Sequence, residues 1–314
     1  MGRTSRSSPP SPAAEGGLRT ALVTGATGLV GSALVARLRA SGVRVLATAR
    51  SYQAERLLRE AGAEPLYTDI VNIGQWAREA AEADAIFHLA LPRLDPPLRR
   101  GAARRRARGA AAGAAALREL AGERPVVMLS SGLVYGDRAE PAVDDDPAPA
   151  RLALARAPAA AEAALQGRHL RVVRVPWVVG PAGLVRDIVV GLRVRRYRIV
   201  GSGDNAWGLV GVDDAAAALV AVLDAPPGIY SAAAAEIPTQ AEVVDAVCSV
   251  PGHRHPDHVP PALAALAMGG AMSQAFAASL RVGTGRLADH GWSPRQDWRE
   301  EIVRLAEGSL PLPA

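Results

Sequence analysis

The feature that most constrains this chain is an alternation of short apolar runs with longer segments of helical periodicity. It begins near Leu18 and continues for about 160 residues. The short runs are typical of buried strands. Strands that alternate with helices of this length favour an α/β fold with a doubly wound parallel sheet of the Rossmann type. The predicted strands cover 20–25, 43–49, 63–69, 83–90, 124–131 and 169–177, and the predicted helices 29–42, 52–62, 72–83, 107–122 and 151–167.

The pattern changes after residue 177, where segments become irregular and richer in Gly, Pro and Trp. This change indicates a smaller C-terminal subdomain at the carboxyl ends of the strands, where α/β proteins bind substrates. We assign 18–176 and 208–228 to a dinucleotide-binding domain, and 177–207 and 229–314 to a substrate-binding subdomain. Residues 1–17 are rich in Ser, Pro, Gly and Arg and are predicted to be a disordered tail.

Composition excludes several classes of function. A single cysteine, Cys248, precludes an intrachain disulfide and fits a reducing compartment, so we expect the cytoplasm. The chain has no lysine, which excludes Schiff-base and P-loop lysines. No apolar run approaches the ~20 residues of a membrane span, so no membrane association is expected. The net charge of +5 is accompanied by few aromatic residues, so a nucleic-acid partner is not expected.

A glycine-rich loop joins the first strand to the first helix. Its glycines, Gly25, Gly28 and Gly31, are three residues apart. They would permit a tight turn, close approach of the backbone to a pyrophosphate, and close packing of helix on strand, with the helix N-terminus facing the anion. The residues predicted to contact a dinucleotide here are Gly25, Thr27, Gly28, Leu29, Val30 and Gly31.

The end of the second strand indicates which dinucleotide is bound. Arg50 lies there, 19 residues after Gly31, with Ser51 beside it. NAD-specific folds usually place an acid at this point, which would repel a 2′-phosphate, whereas a guanidinium attracts one. We therefore predict that the cofactor is NADP(H) and that Arg50 and Ser51 bind its 2′-phosphate.

Further short motifs follow later strands and precede the C-terminus. They are Asp69-Ile70, His88-Leu89-Ala90, SSGLVYG (130–136), RVPWVVGP (174–181), Val212-Asp213-Asp214 and Gly291-Trp292-Ser293-Pro294. Together with the glycine loop they resemble the short-chain dehydrogenase/reductase superfamily, most of all its extended and atypical branch, which includes NAD-dependent epimerases and dehydratases. The resemblance spans about residues 20–305.

The resemblance implies further site residues. Its cofactor contacts beyond the glycine loop and the second strand would be Asp69, Ile70, Leu89, Ala90, Leu91, Ser130, Pro176 and Val178. Its substrate pocket would include Pro92, Leu133, Trp177 and Trp207. The two tryptophans could stack against a flat aromatic substrate or simply pack in the core, and the sequence leaves both readings open.

The chain departs from the family at its catalytic helix. The family places Tyr-x-x-x-Lys there, and with Glu162 as anchor those positions hold Leu154 and Pro158. Segment 137–167 contains no tyrosine. The hydroxyl that remains is Ser131, which we expect to be catalytic by donating a hydrogen bond to a substrate carbonyl.

These residues favour reduction over epimerisation. A sugar epimerase or dehydratase must first oxidise an alcohol, which needs a strong internal base. A ketone flanked by a phenol or enol carries its own proton, so we predict an NADPH-dependent ketoreductase for a hydroxylated polycyclic natural product. In lacking the couple, the chain is similar to atypical ketoreductases of aromatic polyketide (antibiotic) biosynthesis, including the simocyclinone type. The alternative is a non-catalytic NADP(H)-binding sensor or structural protein.

Several smaller patterns are interpreted as structural. The histidines of GHRHPDH (252–258) are predicted to lie in a surface loop without a metal. The arginines between 99 and 108 are predicted to form a solvated face that precedes a helix, and the alternative is that they lie near the active-site mouth and attract an anionic substrate. Asp144-Asp145-Asp146 is predicted to form a solvated turn. The Ala-rich segments 107–122 and 152–165 would allow a homodimer through close helix packing.

Overall fold

The computed structural model describes residues 17–67, 77–92, 100–167 and 169–308. Except for Gly17, the predicted tail lies outside these residues, as do Asp69 and Ile70. The strands are β1 (Thr20–Thr24), β2 (Arg44–Ala49), β3 (Glu64–Tyr67), β4 (Ala85–His88), β5 (Val126–Ser131), β6 (Leu170–Val175), β7 (Trp177–Val179), β8 (Ile199–Val200), β9 (Leu209–Gly211), β10 (Gly228–Ser231) and β11 (His258–Val259). The helices are α1 (Leu29–Ala40), α2 (Tyr52–Glu60), α3 (Ala77–Ala80), α4 (Arg100–Ala121), α5 (Arg156–Leu165), α6 (Leu184–Arg193), α7 (Val212–Ala221), α8 (Gln240–Cys248), α9 (Pro261–Met268), α10 (Gly270–Ala277) and α11 (Trp298–Glu307).

The central sheet confirms the predicted doubly wound fold. Its seven described strands run in the order β10-β6-β5-β4-β1-β2-β3, and every pair in it is parallel. The order reverses between β1 and β4, because the chain winds outward from β1 in both directions. In such sheets ligands bind beyond the carboxyl ends of the strands at this switch point.

Both faces of the sheet are covered by helices. Side chains alternate along a strand, so Val23 of β1 packs on one face with Leu34 of α1 and Leu219 of α7. Leu22 packs on the other face with Leu117 of α4. Burial on both faces explains why these strands are continuous apolar runs rather than alternating patterns.

Three details of the large domain correct the sequence-based assignments. β10 pairs with β6, so Gly228–Ser231 belong to the main sheet and not to the smaller subdomain. α4 begins at Arg100, so the arginines from Arg100 to Arg108 lie inside the helix and not before it, as the high helix propensity of Arg and Ala allows. Arg99 lies outside the described residues. Pro158 lies in the first turn of α5, where its missing N–H has no helical partner to lose, so it does not interrupt the helix.

The smaller subdomain is built around a separate apolar cluster. The short parallel pairs β7–β9 and β8–β11 lie here, with α6 and α8–α11. Trp207 and Phe276 are central to this cluster, and their rings meet edge to face with centroids 5.4 Å apart. Among the described residues no helix is both long and apolar enough to cross a membrane.

Two of the family-like motifs bind each other and fix the C-terminal segment. The buried Asp214 carboxylate accepts backbone N–H groups of Arg295 (2.9 Å) and Gln296 (2.8 Å). The Trp292 indole N–H donates to the Asp214 carbonyl oxygen at 3.1 Å. The segment that precedes α11 is therefore attached to the first turn of α7.

Candidate active site

The carboxyl ends of the central strands bring the predicted site residues to one edge of the sheet. Thr24 of β1 pairs with His88 of β4 across the switch point. Ser131 of β5 pairs with Val175 of β6, directly before Pro176. The glycine loop, the segment after β4 and the end of β6 therefore lie around the carboxyl end of β5.

The glycine loop has the geometry of a phosphate cradle. Gly25 has a φ of +74°, and a Cβ there would lie 2.7 Å from the Ala90 nitrogen, so the loop is pressed against the segment after β4. A Cβ on Gly31 would collide with the Gly25 carbonyl oxygen. Gly28 is the N-cap of α1 and supplies no capping side chain, and Thr27 and Gly28 are exposed. The first N–H groups of α1 are therefore open to an anion.

Leu29 and Val30 contribute to this site in different ways. Leu29 is half-buried, and a Cβ on Gly180 would lie only 2.9 Å from its Cδ1. The start of α1 thus packs against the segment after β7. The Val30 side chain is buried in the core, so only its backbone can reach a ligand.

At the end of β2, Arg50 and Ser51 are both exposed. The Ser51 hydroxyl accepts the Ala54 N–H at 3.2 Å and caps α2. No ion pair of Arg50 is found within the described part of the chain, and its guanidinium is available to a phosphate.

Ser130 and Ser131 are adjacent but face different surroundings. Ser131 is half-buried, and its Oγ accepts the Leu133 N–H at 3.2 Å. That bond uses a lone pair and leaves the Ser131 hydroxyl proton free to be donated. Ser130 is buried, and its hydroxyl donates to Glu162, so any contact of Ser130 with a cofactor would be through its backbone.

Glu162 belongs to a buried ionic network that supports β5 and β6. Its carboxylate receives two hydrogen bonds from Arg174, at 2.7 and 3.1 Å. The Arg174 guanidinium lies 4.8 Å from the centre of the Tyr135 ring. The Tyr135 hydroxyl lies 2.8 Å from the Ser231 hydroxyl, and burial raises the pKa of this phenol.

The network also contains Asp144, which corrects the expectation of a solvated turn. Asp144 is buried and has a φ of +45°, rare for a residue other than glycine. Its carboxylate accepts the N–H groups of Ser231 (2.8 Å) and Arg286 (2.7 Å). The burial of Asp144 could not be predicted from the sequence, because a buried aspartate in a run of three acids gives the same local pattern as an exposed one.

The predicted substrate contacts divide into two groups. Trp207 is only 1% exposed and its indole N–H donates to the Phe276 carbonyl oxygen, so it is a core residue and not a stacking platform. Trp177 is 9% exposed, and its indole nitrogen has no hydrogen-bond partner in the described protein. Leu133 is also buried, whereas Pro92 is half-buried. Of the predicted cofactor contacts nearby, Pro176 is buried, and Leu89, Ala90, Leu91 and Val178 are half-buried.

The three histidines of the predicted loop contact different parts of the protein. Nδ1 of His253 lies 3.2 Å from the Val250 carbonyl, Nδ1 of His255 lies 3.4 Å from the Asp245 carboxylate, and Nδ1 of His258 lies 2.9 Å from the Gly201 carbonyl. Across the ranges that the structure describes, no group of three or more His, Cys, Asp or Glu is placed to hold a metal.

Comparison with known proteins decides the family. The model of the NAD dependent epimerase/dehydratase family matches residues 21–233. The chain belongs to the NAD-dependent epimerase/dehydratase family. None of the curated proteins matches it.

Solved structures share the fold of this epimerase/dehydratase-family protein. Human epimerase family protein SDR39U1 (isoform 2), solved with NADPH, is 21% identical and has a TM-score of 0.75, covering 92% of this chain and 99% of that one. Helicobacter pylori ADP-L-glycero-D-manno-heptose-6-epimerase is 18% identical with a TM-score of 0.76, covering 93% and 96%. UDP-glucose 4-epimerase of Thermotoga maritima, solved with UDP-glucose, is 19% identical with a TM-score of 0.73, covering 92% and 97%.

The residues of this family member fit a nicotinamide dinucleotide. The N-terminus of α1, where Gly28 places no capping side chain, and the positive φ of Gly25 have the geometry of a pyrophosphate cradle. The half-buried segment after β4 lies against that loop. The family is NAD(P)-dependent, and the residues at the switch point of the sheet fit that cofactor.

Proposed function

We propose that this protein is an NADPH-dependent ketoreductase that acts on a hydroxylated polycyclic natural product of the aromatic polyketide (antibiotic) type. The observation that carries the proposal is the state of Ser131. Its Oγ accepts a backbone N–H and retains a proton to donate, at the carboxyl end of β5. A hydrogen bond aimed at a ketone oxygen stabilises the negative charge that develops there during reduction.

The two positions at which the family places its catalytic Tyr and Lys hold no acid or base in this chain. Leu154 and Pro158, at the positions of the family's Tyr and Lys, are both buried and apolar. NADPH supplies the hydride when bound. The proton for the new alcohol then comes from a phenol or enol of the substrate next to the ketone, or from water.

The same absence argues against sugar epimerisation, although structural neighbours carry that name. Epimerisation begins with removal of a proton from an alcohol, which requires a base held at the reacting oxygen. The Ser131 hydroxyl accepts the Leu133 N–H, and within the described residues it donates to no group that would take its proton. Reduction of a ketone that brings its own acid avoids this requirement.

Cofactor preference is tested first, by titration with NADPH and NADH. We expect tighter NADPH binding, because the exposed Arg50 offers its guanidinium to the 2′-phosphate. Arg50→Ala should weaken NADPH about 10-fold and leave NADH unchanged, as expected for one exposed charge-assisted contact. Arg193→Ala, an exposed arginine on α6, is the matched control. Equal binding of both nucleotides would contradict the NADP assignment.

The proton source is tested with matched substrates. NADPH consumption is measured with 8-hydroxy-1-tetralone, whose phenol lies beside the ketone, and with 6-hydroxy-1-tetralone, whose phenol is remote. We expect the first to react faster by ~10²-fold, the contribution typical of a positioned acid. Ser131→Ala should lower the rate with both ketones. NADPH binding without turnover of either would refute the ketoreductase and favour a non-catalytic NADP(H)-binding protein.

A further inference from the structure

A large cavity lies apart from the predicted cofactor and substrate residues. Its volume is about 1330 Å³, and it opens between α4, the segment that leads into α5, and the α9–α10 hairpin. Tyr135 and Gly136 line it, at the end of the 3-10 turn that Ser131 caps. The cavity therefore reaches to within one short turn of the proposed catalytic hydroxyl.

One side of this cavity is cationic. Arg104 of α4, Arg151 before α5 and Arg156 at the start of α5 line it, and all three are exposed. Within the described residues the guanidinium of none of them makes an ion pair or a hydrogen bond. The one acidic residue in the lining is Asp137, whose carboxylate accepts the Ser279 N–H at 2.9 Å.

Some arginines elsewhere on the surface are paired with carboxylates. Arg44 binds both Glu64 and Glu82, and Arg59 binds Glu55 on the same helix. Three guanidinium groups line this cavity without an ion pair to any described carboxylate, and together they create a local positive potential. A guanidinium matches the geometry of a carboxylate or phosphate, so this side of the cavity suits an anionic group.

The opposite side is apolar and open to solvent. Every residue of α9 is Pro, Ala, Leu or Met, yet only Ala264 among them is buried. Leu266 lines the cavity and is 82% exposed, a large apolar surface for a residue with no core role. Ala271, Ala277 and Ala278 extend this wall from α10 and beyond.

We propose that the cavity binds an acidic amphiphile, with an apolar body against α9 and α10 and a carboxylate or phosphate against Arg104, Arg151 and Arg156. The volume exceeds the roughly 300–1,000 Å³ of common small-molecule pockets, so a polycyclic body fits. The identification of this ligand as the ketone substrate rests on the proposed function, but the binding itself does not.

The experiment measures binding without NADP(H), so that failure of the cavity and failure of the reductase remain distinguishable. Isothermal titration uses three probes: anthraquinone-2-carboxylate, 1-naphthyl phosphate and the neutral 2-(hydroxymethyl)anthraquinone. We expect an acid to bind more tightly than the neutral probe, and binding to weaken with salt. The relative affinity of the carboxylate and phosphate probes distinguishes the two sources of anion.

Paired variants assign binding to the cavity. Arg151→Gln with Arg156→Gln should weaken the acid probes ~10-fold, as expected for lost contacts to an ionised group. Leu266→Ser should weaken the anthraquinone probes ~5-fold through lost apolar burial. Arg193→Gln on α6 and Leu263→Ser, exposed on α9 outside the lining, should change neither.

Two results would overturn the proposal. One is a neutral probe that binds as tightly as its carboxylate counterpart, since the arginines would then play no part. The other is a set of cavity variants whose probe affinities equal those of the two controls. Because Arg151, Arg156 and Leu266 are exposed, their replacement should leave folding intact, which circular dichroism checks.

Discussion

Acid should destabilise this protein through one histidine at the switch point of the sheet. His88 ends β4 and is only 2% exposed. Its Nδ1 lies 2.8 Å from the Thr24 hydroxyl, and within the described residues its Nε2 has no partner. Burial lowers the pKa of His88 from 6.5 to about 4, because an imidazolium would lose its hydration there.

The size of the effect follows from the difference in pKa between the two states. Below pH 6.5 the unfolded chain binds a proton at His88, while the folded chain stays neutral until about pH 4. Unfolding is therefore favoured as the pH falls through this window. Each pKa unit corresponds to about 1.4 kcal/mol, so lowering the pH from 7 to 5 should remove ~2 kcal/mol of stability. The full loss, ~3 kcal/mol, is approached only below pH 4.

Urea denaturation followed by tryptophan fluorescence measures this loss. His88→Gln removes the titration, so the stability gap between parent and variant should change by ~2 kcal/mol between pH 7 and pH 5. Carboxylates that titrate in both proteins cancel in this difference. Thr24→Val keeps the buried imidazole and should keep most of the pH dependence. If the parent and His88→Gln lose stability in parallel, burial of a neutral imidazole does not govern acid sensitivity.

Three further predictions follow from individual contacts. Gly31→Ala should abolish dinucleotide binding and lower the melting temperature, since its Cβ meets the Gly25 carbonyl oxygen, whereas Gly270→Ala, with open space around it, should do neither. Asp214→Ala leaves two backbone N–H groups unpaired and should cost ~3 kcal/mol in urea unfolding, against within ~0.5 kcal/mol for the exposed neighbour in Asp213→Ala. Glu162→Gln should lower the free energy of unfolding by ~3 kcal/mol, because it leaves Arg174 buried without its carboxylate. Joint replacement by Glu162→Leu and Arg174→Met should recover most of that loss. Losses that simply add in the double variant would contradict the pairing.

The large domain was predictable because its signals are local. Five of the first six strands are largely buried runs, whereas β3, at the edge of the sheet, is half-buried with Glu64 and Tyr67 exposed. The length of the short runs and the glycines that end the helices between them placed all six strands to within a few residues. The glycine loop was predicted equally well, because the spacing of its glycines follows from backbone contacts within one turn. β10 was missed because it is four residues long and gains its stability from pairing with β6.

The parts that sequence did not predict depend on distant partners. Trp207 and Trp177 look alike in sequence, and only the packing of Phe276 and Leu280 against Trp207 shows that it is closed to ligands. The burial of Asp144 depends on Ser231 and Arg286, which lie far along the chain. Likewise, the apolar sequence of α9 by itself is typical of a buried helix, and only its position in the fold shows that it is exposed.

Ser130 and Ser131 are adjacent in β5, but their side chains contact different surroundings. Side chains alternate along β5, so Ser130 is directed to Glu162 and Arg174 while Ser131 is directed to the end of the sheet. The positions at which the family carries an acid and a base hold Leu154, just before α5, and Pro158, in its first turn. The Glu162 carboxylate on the same helix is bound to the Arg174 guanidinium and the Ser130 hydroxyl. The proposed reaction at Ser131 would therefore have a positioned hydrogen-bond donor but no protein acid at the family's position. The proton would come from the substrate or from solvent.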